Sequence, residues 1–154
     1  LSKKPCLKQM IEQYNDCGGN VLGVMDIPRE DTASYGIVDI DPSFAKADAK
    51  LVKAKGLVEK PAPADAPSTL SIIGRYILQP EVINVLSHQK AGAGGELPLT
   101  DAIASLIGKG DVFGYRYECV RYDCGGLVGF VAANVAFALE REGIKDKVIK
   151  RLND

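Results

Sequence analysis

No apolar run in the chain approaches the ~18 residues that a membrane-spanning helix requires. No signal-peptide pattern is visible either. Histidine is almost absent, with His88 alone. The cysteines, Cys6, Cys17, Cys119 and Cys124, show neither zinc-type pairing nor the density of a secreted disulfide scaffold. A structural metal site is therefore not expected, and buried or idle thiols in a reducing cytoplasm are. Excess charge of one sign is missing too. Lys and Arg number 19 against 20 Asp and Glu, giving a formal net charge of −1. Acids and bases are interleaved, so neither a nucleic-acid tract nor a membrane-surface patch is expected. What 154 residues do allow is a single domain with a real core. The sequence enters a helix almost directly after Leu1, which reads as a piece of something longer.

Pro5 suits the first turn of a helix whose apolar face is Leu7, Met10, Ile11 and Tyr14, stopped by Gly18-Gly19. Val21, Leu22, Val24 and Met25 form a short apolar run, the pattern of a strand covered on both faces. Extended runs at 35–40 and 51–58 are joined too closely for a parallel return, so they pair antiparallel. A further strand covers 69–78, and Pro80 opens a helix that ends near His88. The glycine-rich stretch 91–95 follows a helix and ends in Gly95-Glu96. It therefore lacks the setting of a phosphate loop. Thr100 or Asp101 can cap a helix whose apolar residues are Ile103, Leu106 and Ile107, with Gly108 ending it. Val112 to Cys119 alternates as a half-covered strand near a sheet edge. A long helix from Leu127 to about Arg141 and an amphipathic one through Ile144, Val148, Ile149 and Leu152 close the chain. A terminal helix of that kind folds back or meets another subunit.

The chemistry centres on Gly56-Leu57-Val58-Glu59-Lys60-Pro61. Pro61 cannot donate to a ladder, so pairing stops there, and it biases Lys60 towards an extended backbone. Side chains alternate, so Glu59 and Lys60 point in different directions. One can accept hydroxyl hydrogens while the other neutralises an anion. Antiparallel pairing brings Gly36 opposite 56–58 and so beside this pair, where a missing side chain allows close approach to the backbone. The plain alternatives are a solvated strand end for Glu59-Lys60 and a hairpin bulge for Gly36. Asp123 stands just ahead of a helix start. There a carboxylate either caps the helix, favoured by the macrodipole, or faces a metal. Asp39 and Asp41 lack a third ligand and read as solvated.

In order along the chain, Pro5-Cys6-Leu7-Lys8-Gln9-Met10, Gly23-Val24-Met25-Asp26-Ile27-Pro28-Arg29-Glu30 and Tyr35-Gly36-Ile37-Val38-Asp39 precede the Glu59-Lys60-Pro61 segment. Ser71-Ile72-Ile73-Gly74-Arg75-Tyr76, Leu99-Thr100-Asp101-Ala102 and Arg121-Tyr122-Asp123-Cys124-Gly125 follow it. Together they resemble the bacterial UTP–glucose-1-phosphate uridylyltransferases. The resemblance implies an α/β, Rossmann-like nucleotidyltransferase fold, here partial: a mixed sheet with flanking helices that lacks the N-terminal nucleotide-binding half. It also implies transfer of uridylyl from UTP to glucose 1-phosphate with Mg²⁺, giving UDP-glucose and pyrophosphate in the cytoplasm. By motif, Glu59 holds glucose hydroxyls, Lys60 acts on the sugar-linked phosphate as the catalytic cation, and Gly36 lets the backbone approach the sugar. Asp123 matches an aspartate placed near the metal.

The family's triphosphate-gripping glycine-rich loop, its uracil-binding residues and a second metal aspartate have no counterpart here. Pro98 replaces a usual glutamine, and Gly126 an aspartate. The chain thus resembles a single sugar-binding and assembly portion, C-terminal in a longer enzyme and inactive alone. It is expected to form a homo-oligomer or to join the missing half, because a strand such as 21–26 would otherwise be an open edge. The other reading is a non-catalytic regulatory or assembly partner of a complete uridylyltransferase. A hydrolase built on His88 has no supporting spacing.

Overall fold

A computed structural model describes residues 2–44, 49–88 and 98–153. The chain divides into two compact units, Lys4–Tyr117 and, apart from it, Leu1–Lys3 with Glu118–Asp154.

The larger unit begins with α1 (Cys6–Cys17), which buries Met10 and ends at Gly18 with φ 66°. Strands β1 (Asn20–Asp26), β2 (Gly36–Ile40), β3 (Leu51–Glu59), β4 (Leu70–Ile77) and β5 (Val112–Tyr115) close into a barrel in the order β1-β4-β2-β3-β5. Only the β1–β5 seam is parallel, so the sheet is mixed, as expected. The link that closes β2 onto β4 is the single pair Ile37↔Ser71. The polar stretch after Pro28 folds as a 3-10 helix, Arg29–Ser34.

Closure corrects two expectations. β1 is paired on both sides, to β4 and to β5, so it is not left as an open edge. Self-association argued from that edge loses its ground. β5 is likewise interior, between β1 and β3, and it stops at Tyr115 rather than running to Cys119. Alternation reports which residues of a strand are covered but not which strands lie beside it.

The barrel is filled by Leu22, Val24, Val38, Val52, Leu57, Leu70, Ile72 and Val112. Val82 from α2 (Pro80–His88) and Ile103 from α3 (Leu99–Ala104) belong to the same core. α3 is shorter than its apolar pattern suggests. Past Ala104 the chain tightens, with the N–H groups of Leu106 and Ile107 donating to Ile103 and Ala104 oxygens at 3.1 Å, before Gly108 turns at φ 89°. That tightening still places Leu106 in the core. Beyond the strands, the Arg116 guanidinium grips Asp26 through two bonds of 2.7 and 3.1 Å, tying the end of β1 to the segment after β5.

The Arg116 hydrogen bond holds the Asp26 carboxyl below its ordinary value. A depressed carboxyl stabilises the fold above its unfolded pKa of about 4 and loses that contribution as pH falls through the lowered folded value. Asp26 is more than half exposed, so the effect is small, under about 1 kcal/mol. In Arg116→Met, Asp26 is expected to titrate in the usual carboxylate range. Carboxyl ¹³C NMR against pH checks this, and an unchanged low titration would rule the clamp out as the cause.

In the smaller unit, α4 (Leu127–Leu139) contains no charged residue and buries only Ala133, ending two residues before Arg141. Gly143, with φ 77°, separates it from α5 (Lys145–Asn153). Tyr122 and Phe137 pack as a tilted aromatic pair, with centroids 6.1 Å apart and ring planes at 57°.

Candidate active site

The β2–β3 hairpin sets the site. The pair is antiparallel, as the short connection between the two runs implies, with Gly36 facing Glu59 itself rather than the expected 56–58, and Ile37 facing Val58. Gly36 is buried at the start of β2. A Cβ built there would lie 3.0 Å from Glu59 Oε2, 3.1 Å from Thr100 Oγ1 and 3.3 Å from Ile72 Cδ1. The absent side chain is therefore what leaves room for the Glu59 carboxylate. Gly36, Glu59 and Lys60 come together as the sequence suggested, and Gly36 sits in regular register rather than in a bulge. The ladder slips only further along, between Asp39 and Ile40.

Two expectations about Lys60 fail. Its backbone is not extended but left-handed, with φ 47°. Its ammonium does not point away from Glu59, since Nζ lies 3.9 Å from Glu59 Oε1. The Lys60 N–H donates to Tyr35 O at 3.0 Å, the last hairpin bond before the buried Pro61. The Lys60 side chain is 63% exposed and that of Glu59 37%. A pair this open and this long is worth little on its own. The ammonium can therefore turn to an incoming anion at small cost, while Glu59 stays anchored by its other oxygen.

That anchor is Thr100, whose hydroxyl donates to Glu59 Oε2 at 2.7 Å. From the sequence, Thr100 or Asp101 is expected to cap α3. Instead the position before α3 is Pro98, no side chain caps the helix, and Thr100 points its hydroxyl from the first turn to the carboxylate. Thr100 is nearly buried, so its hydroxyl needs a partner, and Glu59 supplies it. Tyr76 on β4 is the second residue that the sequence reading missed. Burial, and then the nearby Glu59 charge, push its phenol above the ordinary value. Thr100 was within reach in the sequence, since it lies in one of the family-like motifs. Tyr76 lies in another.

Asp123 belongs to the smaller unit. Its Oδ1 accepts the Gly125 N–H at 3.0 Å and its Oδ2 the Arg121 guanidinium at 2.8 Å, contacts that hold its carboxyl below the ordinary range. The expected cap of α4 is not formed. The N-cap is Gly126, without a side-chain bond, and Asp123 closes a turn ahead of the helix. Divalent ions of the magnesium class require several oxygen ligands. Among the described residues no three His, Cys, Asp or Glu side chains converge to hold one. Asp123, with both oxygens engaged, does not make a metal site by itself.

A cavity of about 510 Å³ between α2 and α3 is lined by Asn84, Val85, His88, Asp101, Ala102 and Ser105. The His88 Nδ1 there faces Asn84 O at 2.8 Å and Ser87 Oγ at 3.0 Å, bonds within its own helix turn. The glycine-rich stretch 91–95 lies outside the described residues.

Comparison with known proteins places these features in a family. The family model described as nucleotidyl transferase matches residues 2–138. A UTP–glucose-1-phosphate uridylyltransferase of Komagataeibacter xylinus is 55% identical over 127 residues, covering 82% of this chain and 43% of that protein. One from Staphylococcus haemolyticus is 40% identical over 153 residues, covering 99% of this chain and 52% of that protein. Among solved structures, a UDP-glucose pyrophosphorylase complexed with UDP-glucose is similar at TM-score 0.80 and 31% identity, over 92% of this chain and 53% of its own. A UTP-bound UGPase from Acinetobacter baumannii gives 0.82 and 30%, over 100% and 52%. The chain spans about half the length of the curated relatives it matches. These likenesses bear out the Rossmann-like nucleotidyltransferase class with a mixed sheet and flanking helices. The family generally uses a divalent metal. No helix among the described residues is long and apolar enough to cross a membrane. With the family model running from before α1 into the last turn of α4, and with uridylyltransferases as relatives along that span, this chain belongs to the nucleotidyl transferase family.

Proposed function

We propose that the chain is the sugar-binding and assembly portion of a cytoplasmic enzyme that makes UDP-glucose and pyrophosphate from UTP and glucose 1-phosphate. The 154 residues act as one functional portion of that enzyme. The observation that carries this reading is the convergence of Gly36, Glu59 and Lys60 at the exit of the hairpin. In the reaction an oxygen of the glucose 1-phosphate phosphate forms a bond to the α-phosphorus of UTP. The bond from that phosphorus to the bridging oxygen breaks, and pyrophosphate leaves with the electron pair. No covalent protein intermediate is required, so the protein aligns the reactants and neutralises charge.

Glu59, held by Thr100 through one oxygen, offers the other to sugar hydroxyls. Gly36 leaves the backbone open to the ring. Lys60 turns from Glu59 to the sugar-linked phosphate and keeps its negative charge from opposing the approach to UTP. Magnesium is the divalent ion we propose for the complete enzyme, where it would neutralise phosphate charge and Asp123 would supply one of its oxygen ligands. The remaining ligands and the triphosphate loop come from outside these residues. The apolar stripe of α5 and the uncharged α4 support assembly into a homo-oligomer or against the rest of the enzyme.

Alone, the chain is expected to form no UDP-glucose above a Lys60→Ala control. Spliced in place of the matching segment of the Komagataeibacter xylinus enzyme, it is expected to restore UDP-glucose formation from UTP and glucose 1-phosphate. A soluble, folded chimera with no such activity would overturn the proposal.

A further inference from the structure

Among the described residues, Lys60 is the one residue other than glycine with a positive φ. Two preferences oppose that conformation. An L-residue there crowds its Cβ against the next carbonyl, shifting the local equilibrium roughly tenfold the other way. A following proline also drives its neighbour towards extended values, and Pro61 follows. Backbone strain of this sort persists only where the surroundings over-determine it, and such places concentrate at ligand sites. Here the left-handed residue is held on both sides, by the Tyr35 carbonyl accepting its N–H at 3.0 Å and by the burial of Pro61.

The consequence for the side chains is specific. Along a regular strand, residues 59 and 60 would face opposite sides of the sheet, since successive side chains alternate. After the left-handed step the Lys60 ammonium lies 3.9 Å from the Glu59 carboxylate. We infer that the left-handed backbone at Lys60 is the positioning device of this site, turning a strand end that would splay cation and carboxylate into one face. That face presents both groups to a ligand carrying a phosphate next to hydroxyls. The inference rests on the sugar-phosphate reading of Glu59 and Lys60. It gives position 60 two opposed demands: the backbone is best served by glycine, which adopts positive φ without a Cβ clash, and the ligand by lysine.

The two demands separate experimentally. Residue 60 is exposed, so Lys60→Gly and Lys60→Ala both retain the fold. Urea unfolding of the 154-residue chain is expected to give Lys60→Gly a folding constant about fivefold above that of Lys60→Ala. The ¹³Cα and ¹³Cβ shifts of Lys60 should fall in the left-handed range. Added glucose 1-phosphate should move the Gly36 and Glu59 amide resonances of the wild type and of neither variant. Equal stability of the two variants, or extended-range shifts at Lys60, overturns the inference. A fivefold gain with a wild type that ignores glucose 1-phosphate instead overturns the sugar-phosphate reading, and with it the ligand assigned to this face.

Discussion

Replacing Lys60 by alanine in the chimeric enzyme is expected to lower kcat/KM for glucose 1-phosphate by about 10²–10³, with most of the loss in kcat. Removing one preorganised donor aimed at developing charge has effects of that size in other enzymes. Lys60 fits that role because its present partner is weak. At 3.9 Å and with 63% of the side chain exposed, the contact with Glu59 gives up little when the ammonium turns to phosphate. An ammonium that only bound the ground state would raise KM and leave kcat in place. Steady-state kinetics with glucose 1-phosphate varied at saturating UTP separate the two. A change under tenfold in both constants would return Lys60 to a solvated strand end. Glu59→Gln is expected to act differently, relaxing discrimination between sugar 1-phosphates more than it slows turnover.

The second large effect belongs to Gly36→Ala. Its φ is not in the left-handed region, so the cost is steric rather than conformational. The new methyl would stand 3.0 Å from Glu59 Oε2 and 3.1 Å from Thr100 Oγ1, against both ends of the 2.7 Å bond that orients the carboxylate. Overpacking of this kind in a buried setting destabilises by roughly 1–3 kcal/mol. Displacing the carboxylate should also weaken glucose 1-phosphate binding at least tenfold. Gly110→Ala is the control, since a methyl there meets nothing within 4 Å and its φ is ordinary. Urea denaturation and a binding titration on both variants test the claim. A Gly36→Ala chain as stable and as responsive as Gly110→Ala would show that the site has slack where the geometry indicates none.

Much of this site is legible in the sequence. The antiparallel hairpin follows from two extended runs too close together for a parallel return and its end from Pro61, although Gly36 faces Glu59 rather than the expected 56–58. Both are local constraints. The backbone of Lys60 was misread for a related reason. The neighbour effect of proline is a local preference, and here the Tyr35 carbonyl and the burial of Pro61 override it. Thr100 was misread because a hydroxyl at a helix start has a local use as a cap. Its actual partner is 41 positions away, on another element. The expected open edge at β1 failed because its neighbours were sought in the other half of the enzyme, whereas β4 and β5, distant in sequence, take both sides.

What the sequence by itself determined is therefore what acts over a few residues: which segments are strands and helices, the antiparallel hairpin, and the placing of a glycine, a carboxylate and an ammonium at one strand exit. Its motifs also marked the family. Only the tertiary structure decided that β1 and β5 are interior to a closed barrel, that Thr100 rather than solvent holds Glu59, and that Lys60 turns to the carboxylate's face. Those outcomes depend on contacts between residues far apart in the chain, where burial and hydrogen bonding together outweigh a local preference of about 1 kcal/mol.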